Sequence, residues 1–499
     1  MQPLPSRSFG FIRLGGGGVN TSETALTTQL HQLFGFDKFR PGQLAVIQAV
    51  LREQDTLAVL PTGTGKSLCY QFAGRALGRP VIIVSPLLSL MQDQVEQLRA
   101  AGEKRVVALT STLTRQERTL ALQTLAANRF IYLAPEMAVQ PAIISRLKEL
   151  RPALFVVDEA HCISQWGPDF RPDYRRLGRV RHALGDPVTL ALTATASPRV
   201  QQDIVKALRL NQPSIQVHSV DRPNIFLTVE AVENERLKDE RLVDLVRTFQ
   251  GPGLVYFASK QRANEVARML EQQAGVRAAA YHADRTSADR AVIQQQFLHH
   301  QLDVVCATSA FGMGVNKADI RYVIHYHLPA DLESYVQEIG RAGRDGKQSL
   351  AVLLYQPGDE TIQHRLGTAN LLPAAEVQFL AAHRHEKRFF QDERTALVQT
   401  LVDAGMKPAA ITSYFDHRRQ EKQRALQAMM DYVQTTACRH QFITDYFGEQ
   451  TKITHTERCC AAVNTSLTPE QLGMASRQAL TDPGTQSGYA AILQQLFNL

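Results

Sequence analysis

The strongest constraint on how this chain folds is an alternation that occurs twice. Between residues 57 and 192, the short apolar runs LAVL (57–60), VIIVS (81–85), FIYL (130–133), ALFVV (153–157) and VTLAL (188–192) are separated by longer amphipathic stretches. Runs this short, with no polar residue on alternate positions, read as strands buried on both faces, which implies a parallel sheet wrapped by helices. A second set follows in GLVYF (253–257), VVCAT (304–308), YVIHY (322–326) and LAVLLY (350–355). The class is therefore α/β with two parallel-sheet domains, expected at 24–211 and 212–356, and a linker near VDRPNI (220–225). Beyond Pro357 long charged segments take over. RALQAMMDYV places Leu426, Met429, Met430 and Val433 at i, i+3, i+4 and i+7, the stripe of a helix packed on a core.

The 499 residues are enough for such domains, and a net charge of +7 permits a polyanionic partner without requiring one. No stretch is long and apolar enough to span a bilayer and no secretory leader is recognisable, so a cytoplasmic protein with no membrane partner is expected. Six cysteines, mostly isolated in apolar runs, fit buried thiols in a reducing compartment. Residues 1–23 read as a flexible tail. The glycine run before Val19 looks like a translated ribosome-binding sequence ahead of a GTG start, the alternative being a genuine terminal tail.

LAVLPTGTGKS is a strand running into a glycine-rich turn and then a helix. Gly63 and Gly65 let backbone N–H groups close on phosphate oxygens, Lys66 can reach the β and γ phosphates, and Ser67 can hold Mg²⁺. The strict pattern wants glycine where Leu60 stands, and a structural glycine turn would look similar. The acids Asp158 and Glu159 follow the run ALFVV, where a strand end would deliver one carboxylate to Mg²⁺ and the other to a water molecule. QEIGRAGRDG (337–346) sets Arg341 and Arg344 three apart, on one face if the segment is helical, a spacing suited to a transferring phosphoryl group.

These segments carry a resemblance. FGFDKFRPGQ (34–43), PTGTGKSLCYQ (61–71), SPLLSLMQDQ (85–94), DEAHCISQWGPDFRPDY (158–174), LTATA (192–196), ATSAFGMGVNKADIRYVIH (307–325) and YVQEIGRAGRDG (335–346) occur in the order found in the RecQ family of superfamily 2 DNA helicases. The resemblance, over roughly residues 25 to 460, implies two tandem RecA-like domains, ATP and Mg²⁺ as cofactors, and 3′ to 5′ unwinding of DNA in recombination and repair. It implies that Phe36, Lys38, Arg40, Gln43, Thr62, Gly63, Thr64, Gly65, Lys66 and Ser67 bind ATP, with Gln43 reading adenine. Asp158 would hold the metal, Glu159 the attacking water, and Arg344 would be the finger, assisted by Arg341 and by Gln337 near the γ phosphate. Ser85, Pro86 and Leu87 would touch DNA.

ISQWGPDFRPDY holds the chain's single tryptophan. Trp166, Phe170 and Arg171 resemble the family's aromatic-rich loop, which couples DNA binding to hydrolysis; Pro168 stands where histidine is expected. Stacking of bases on aromatic rings suits that role. An RNA helicase would have no reason to carry this loop, so single-stranded and forked DNA are the expected partners, in a monomer associated with the nucleoid. No protein partner can be read from the sequence. An alternative of another class is a nucleic-acid-binding protein that uses ATP only as a switch and does not unwind.

Residues 357–465 resemble the family's zinc-binding subdomain, with Cys438 as its first ligand. The closing C-x-x-C pair is broken, because Val463 stands in the last position after Cys460. Cys438, Cys459 and Cys460 supply three thiols, two of them adjacent, and neighbours are not expected to point at one tetrahedral centre. His440 or His455 could complete a set of four. The expectation is that zinc is unlikely and the cysteines are remnants. Residues 466–499 are too few for a winged-helix domain and read as two short amphipathic helices around a DPG turn, packed on the body.

Overall fold

The computed structural model describes residues 20–86, 88–110, 113–164, 172–311, 317–403, 405–461 and 468–476. Two wholly parallel sheets dominate it. The first contains β1 (Thr56–Val59), β2 (Val81–Val84), β3 (Val106–Leu109), β4 (Phe130–Leu133), β5 (Leu154–Val157), β6 (Val188–Thr193) and β7 (Ser214–Val217), in the order β3-β4-β2-β5-β6-β1-β7. The second contains β8 (Ile225–Ala231), β9 (Gly253–Tyr256), β10 (Ala278–Tyr281), β11 (Val304–Ala307), β12 (Tyr322–His325) and β13 (Ser349–Tyr355), in the order β10-β11-β9-β12-β13-β8. Every run named from the sequence forms a strand. Helices cover both faces, so Val156, Ile83, Leu190, Val255 and Val323 are fully buried. Each such side chain contributes about 1.5–3 kcal/mol relative to exposure.

The first sheet extends past the expected boundary at residue 211, because β7 pairs with β1 in parallel (Thr56↔Ser214, Val59↔Val217). SIQV lacks a continuous apolar run because it is an edge strand whose burial alternates along its length. The crossing between sheets is consequently the short segment 218–224.

Both sheets turn the C-terminal ends of their strands toward the crevice between them, where open α/β sheets bind ligands. β1 feeds the loop 60–65 and the helix Lys66–Leu77. β5 delivers Asp158 and Glu159, with β6 lying between β5 and β1.

Beyond the second sheet, the helix Pro408–Gln434 presents Met429 and Val433, fully or nearly buried, to the second sheet's core, with Leu426 and Met430 packed beside them. The helix Arg439–Tyr446 follows. Of the two expected C-terminal helices, only the turn Pro469–Leu472 falls among the described residues. Its Leu472 is buried against the second sheet, and Ser476 bridges to Phe249. No helix among the described residues is long and apolar enough to cross a membrane.

Candidate active site

The phosphate loop is built by two glycines with positive φ, Gly63 at +89° and Gly65 at +77°, conformations that cost a side-chain-bearing residue energy. Gly63 is also a point of close approach. A Cβ there would lie 3.2 Å from Cγ of Arg344, so an arginine of the second domain lies directly over the loop of the first. Lys66 and Ser67 open the following helix, whose N-terminal amides and dipole favour an anion.

Gln43 is buried and braces this loop. Its Nε2 donates to the carbonyls of Thr64 (2.7 Å) and Gly65 (3.1 Å), while its Oε1 accepts from the Arg40 amide (2.9 Å). Both ends of the amide are thereby engaged with the chain's own backbone. The Arg40 guanidinium donates to the Gly63 carbonyl. Phe36 is 54% exposed nearby in sequence, and Lys38 is exposed as well.

Asp158 and Glu159 sit at the end of β5 as the sequence implies. Burial and the adjacent Glu159 charge push the Asp158 carboxyl above the usual carboxylate range, while Lys66 and the Glu159 amide (3.1 Å to Oδ1) pull it back. Glu159 has φ +48°, a left-handed conformation rare for a residue with a long side chain, and such strain concentrates at functional sites. Burial raises the proton affinity of this carboxyl, and a divalent cation held with Ser67 would compete with that proton for the carboxylate oxygen, the proton leaving to solvent. The donor set, one hydroxyl and hard carboxylate oxygens beside a phosphate loop, fits Mg²⁺.

A chain of close contacts not assigned from the sequence lies beside these acids. Nδ1 of buried His161 lies 3.3 Å from Glu159 Oε2 and 2.9 Å from Thr193 Oγ1; the Thr193 hydroxyl donates to the Thr195 carbonyl (2.9 Å). Gln337 of the second domain donates to Thr195 Oγ1 (3.0 Å). Burial holds the His161 ring below its ordinary pKa. The segments DEAH and LTATA contained these residues, but only packing reveals that they touch.

Arg341 and Arg344 do not share a helical face. The helix carrying Gln337 ends at Ile339, and the residues after it form turns, because Gly340, Gly343 (φ +55°) and Gly346 (φ +81°) interrupt the run. Both arginines are brought to the crevice by that turn. Burial, followed by the charges of Arg341 and Arg222, pushes Arg344 down to about 9. Three crowded guanidinium groups repel one another, and a bound triphosphate would relieve that repulsion.

Ser85 lies buried at the end of β2 with Pro86 after it, at the same edge as the loop. Leu87, Trp166, Phe170 and Arg171 lie outside the described residues. The flanks of the aromatic-rich segment are anchored: Ser164 donates to Asp203 (2.7 Å), and the Tyr174 hydroxyl donates to the Asp158 carbonyl (2.8 Å).

At the far end of the chain, the neighbouring cysteines, not expected to point at one centre, do bring their sulfurs together with Cys438 and His455. Sγ of Cys438 lies 3.5 Å from Cys459 and 3.8 Å from Cys460; the two neighbours are 4.0 Å apart, and His455 Nδ1 is 3.6 Å from Cys460. All four donor atoms fall within 4.8 Å of one another. Tetrahedral zinc with ordinary bond lengths requires S···S of about 3.8 Å and S···N of about 3.6 Å. Burial alone would raise the Cys438 thiol, but hydrogen bonds from the Gln441 backbone and from His455 outweigh it and hold the thiol below its usual range. The Arg439 amide donates to Cys460 Sγ at 3.3 Å. His440, the other candidate, faces away: its Nδ1 pairs with Asp221 (2.5 Å), and its Nε2 lies near the carbonyls of Cys459 (3.0 Å) and Ile225 (3.1 Å).

Comparison with known proteins matches this architecture piece by piece. A DEAD/DEAH box helicase model covers residues 40–204, a helicase conserved C-terminal domain covers 237–346, and a RecQ zinc-binding model covers 396–462. The chain is 41% identical to the probable ATP-dependent DNA helicase RecS of Bacillus subtilis (strain 168), spanning 95% of this chain and 98% of that one. It is 34% identical to the ATP-dependent DNA helicase RecQ of Pasteurella multocida, spanning 90% of this chain but 63% of that longer protein. Among solved structures, the Mycobacterium smegmatis helicase Lhr superposes with a TM-score of 0.55 at 21% identity, over 83% of this chain and 58% of that one, a likeness of fold.

Proposed function

This chain belongs to the RecQ family of ATP-dependent DNA helicases, and from that membership we propose that it couples Mg²⁺-ATP hydrolysis in the crevice between its two sheets to 3′ to 5′ movement on single-stranded DNA and unwinding of forked duplexes in recombination and repair. The observation that carries this reading is the placement of Arg344 over Gly63, because it makes the catalytic set complete only when the two domains approach. Lys66 would engage the β and γ phosphates, Ser67 and Asp158 would hold Mg²⁺, and Glu159 would orient water and accept its proton. Arg344, supported by Arg341, would stabilise charge on the transferring group. Gln337 would report γ-phosphate occupancy to Glu159 through Thr195, Thr193 and His161. Gln43 would reach adenine N6 and N7 only by exchanging its present backbone partners. Mg²⁺ supplies charge neutralisation at the phosphates when bound.

The direct test is ATP hydrolysis measured without nucleic acid, with single-stranded DNA and with RNA of the same length. Strong stimulation by DNA over RNA is expected; equal stimulation would reject the substrate class. For Trp166→Ala, weakened stimulation with basal hydrolysis little changed is expected, since the ring transmits occupancy and performs no chemistry. Stimulation equal to the parent would remove the loop from the mechanism.

Zinc is part of the same proposal, because Cys438, His455, Cys459 and Cys460 would hold it as a closed structural site. Protein purified without chelator is expected to carry near-stoichiometric zinc by elemental analysis. Its loss should lower the unfolding midpoint, as should Cys438→Ser, since metal binding at such sites is also folding free energy. Metal-free protein with an unchanged midpoint would restore the remnant reading.

A further inference from the structure

The segment 218–224, where the chain crosses from the first sheet to the second, is gripped from two sides. On one side lies the helical region. Glu449 accepts from the Val220 amide (2.7 Å), and His440 pairs with Asp221 while its other ring nitrogen lies near the carbonyls of Ile225 and Cys459. His440 is two residues from Cys438 and touches the carbonyl of Cys459, so the four-donor cluster and the crossing are tied by one buried side chain. On the other side lies the active site. Arg222 donates from one terminal nitrogen to the carbonyls of Thr62 (3.5 Å) and Gly340 (3.2 Å), and from the other to those of Ala342 (2.9 Å) and Gly343 (2.8 Å). Thr62 belongs to the phosphate loop; Gly340, Ala342 and Gly343 alternate with the two arginines of the turn. Asn224 adds a bond to the Gly343 carbonyl (2.9 Å).

We propose that Arg222 is a positioning residue for phosphoryl transfer, holding the arginine turn of the second domain against the phosphate loop, and that the cysteine-cluster region sets its place through Asp221 and His440. The inference rests on reading the crevice as an ATPase site. Its physical basis is the geometry of the guanidinium. Four backbone oxygens from two domains converge on its two terminal nitrogens, a pattern a planar fork satisfies and a point charge does not. With the fork committed to carbonyls, Arg222 orients the groups that meet the phosphate and does not replace them. Displacement of a positioned group by about 1 Å is enough to cost about 10²-fold in rate.

The test uses the full chain and four variants, Arg222→Ala, Arg222→Lys, His440→Ala and Arg222→Ala with His440→Ala. In DNA-stimulated hydrolysis, Arg222→Ala is expected to lower kcat by about 10- to 100-fold with KM for ATP changed less than about threefold. Arg222→Lys should recover little of that loss. His440→Ala should lower kcat in the same direction, and the double variant should fall no further than Arg222→Ala, as coupled residues do. A donor–acceptor dye pair across the two sheets, read with a non-hydrolysable ATP analogue, should show a less closed distribution in both Arg222 variants. That reading needs no turnover, so a parent unable to hydrolyse ATP would reject the ATPase site while the distance still judged Arg222. Parent-like kcat in Arg222→Ala, full recovery in Arg222→Lys, additive losses, or closure equal to the parent would each overturn the proposal.

Discussion

Replacing Arg344 with alanine is expected to reduce DNA-stimulated kcat by about 10³-fold while leaving KM for ATP within about tenfold of the parent. The size follows from where the guanidinium sits. It is partly buried, it lies against Gly63 of the opposite domain, and Arg341 and Arg222 crowd it. A charge held in a water-poor crevice interacts more strongly with developing phosphoryl charge than the same group in solvent, and it has already been oriented before reaction. Ground-state affinity depends on the loop amides and Lys66, which remain. Arg344→Lys should stay defective, because the ammonium is a compact charge without the planar fork. A kcat within tenfold of the parent for Arg344→Ala would move the finger role to Arg341.

Lys66→Ala is expected to abolish measurable turnover, a loss of at least about 10²- to 10³-fold, with DNA affinity by fluorescence anisotropy largely intact. Two effects combine. The ammonium that would meet the β and γ phosphates disappears, and Asp158 loses the charge that pulls its pKa down. Burial and Glu159 then push that carboxyl still higher, so at neutral pH more of it is protonated and Mg²⁺ must displace the proton. Magnesium affinity in the variant should accordingly rise with pH more steeply than in the parent, as isothermal titration would show. Full hydrolysis in Lys66→Ala would sink the assignment of the loop.

Both variants act at one crevice, yet they differ in how visible they were from the sequence. The loop around Lys66 and the acids after β5 are local: a strand, a turn and the next few residues suffice to place them. The spacing of the two arginines implies one shared face only if their segment is helical, and the helix ends before them at Ile339, so their placement follows from a turn that spacing does not specify. Arg222 carried no local signal. Its importance comes from carbonyl oxygens at residues 62, 340, 342 and 343, and a backbone oxygen has the same appearance in any sequence.

The cysteines mark the boundary between the two kinds of information. By itself the sequence determined the α/β class, the twofold run of buried strands, the phosphate loop, the strand-end carboxylates and the family, because each depends on residue type at short spacing. It also showed that a fourth cysteine is missing at Val463. Tertiary structure alone decided that the sulfurs of Cys459 and Cys460 converge with Cys438 and His455. Their segment lies along the edge strand β8, with the Leu227 amide donating to the Cys459 carbonyl (3.1 Å) and the Ala461 amide to the Leu227 carbonyl (3.0 Å). The helix Arg439–Tyr446, packed on the second sheet's core, brings Cys438 to them from about 20 residues away, at a cost in chain closure that grows only slowly with loop length. Spacing along a chain limits which residues can meet locally; which distant residues meet is set by the surfaces that pack.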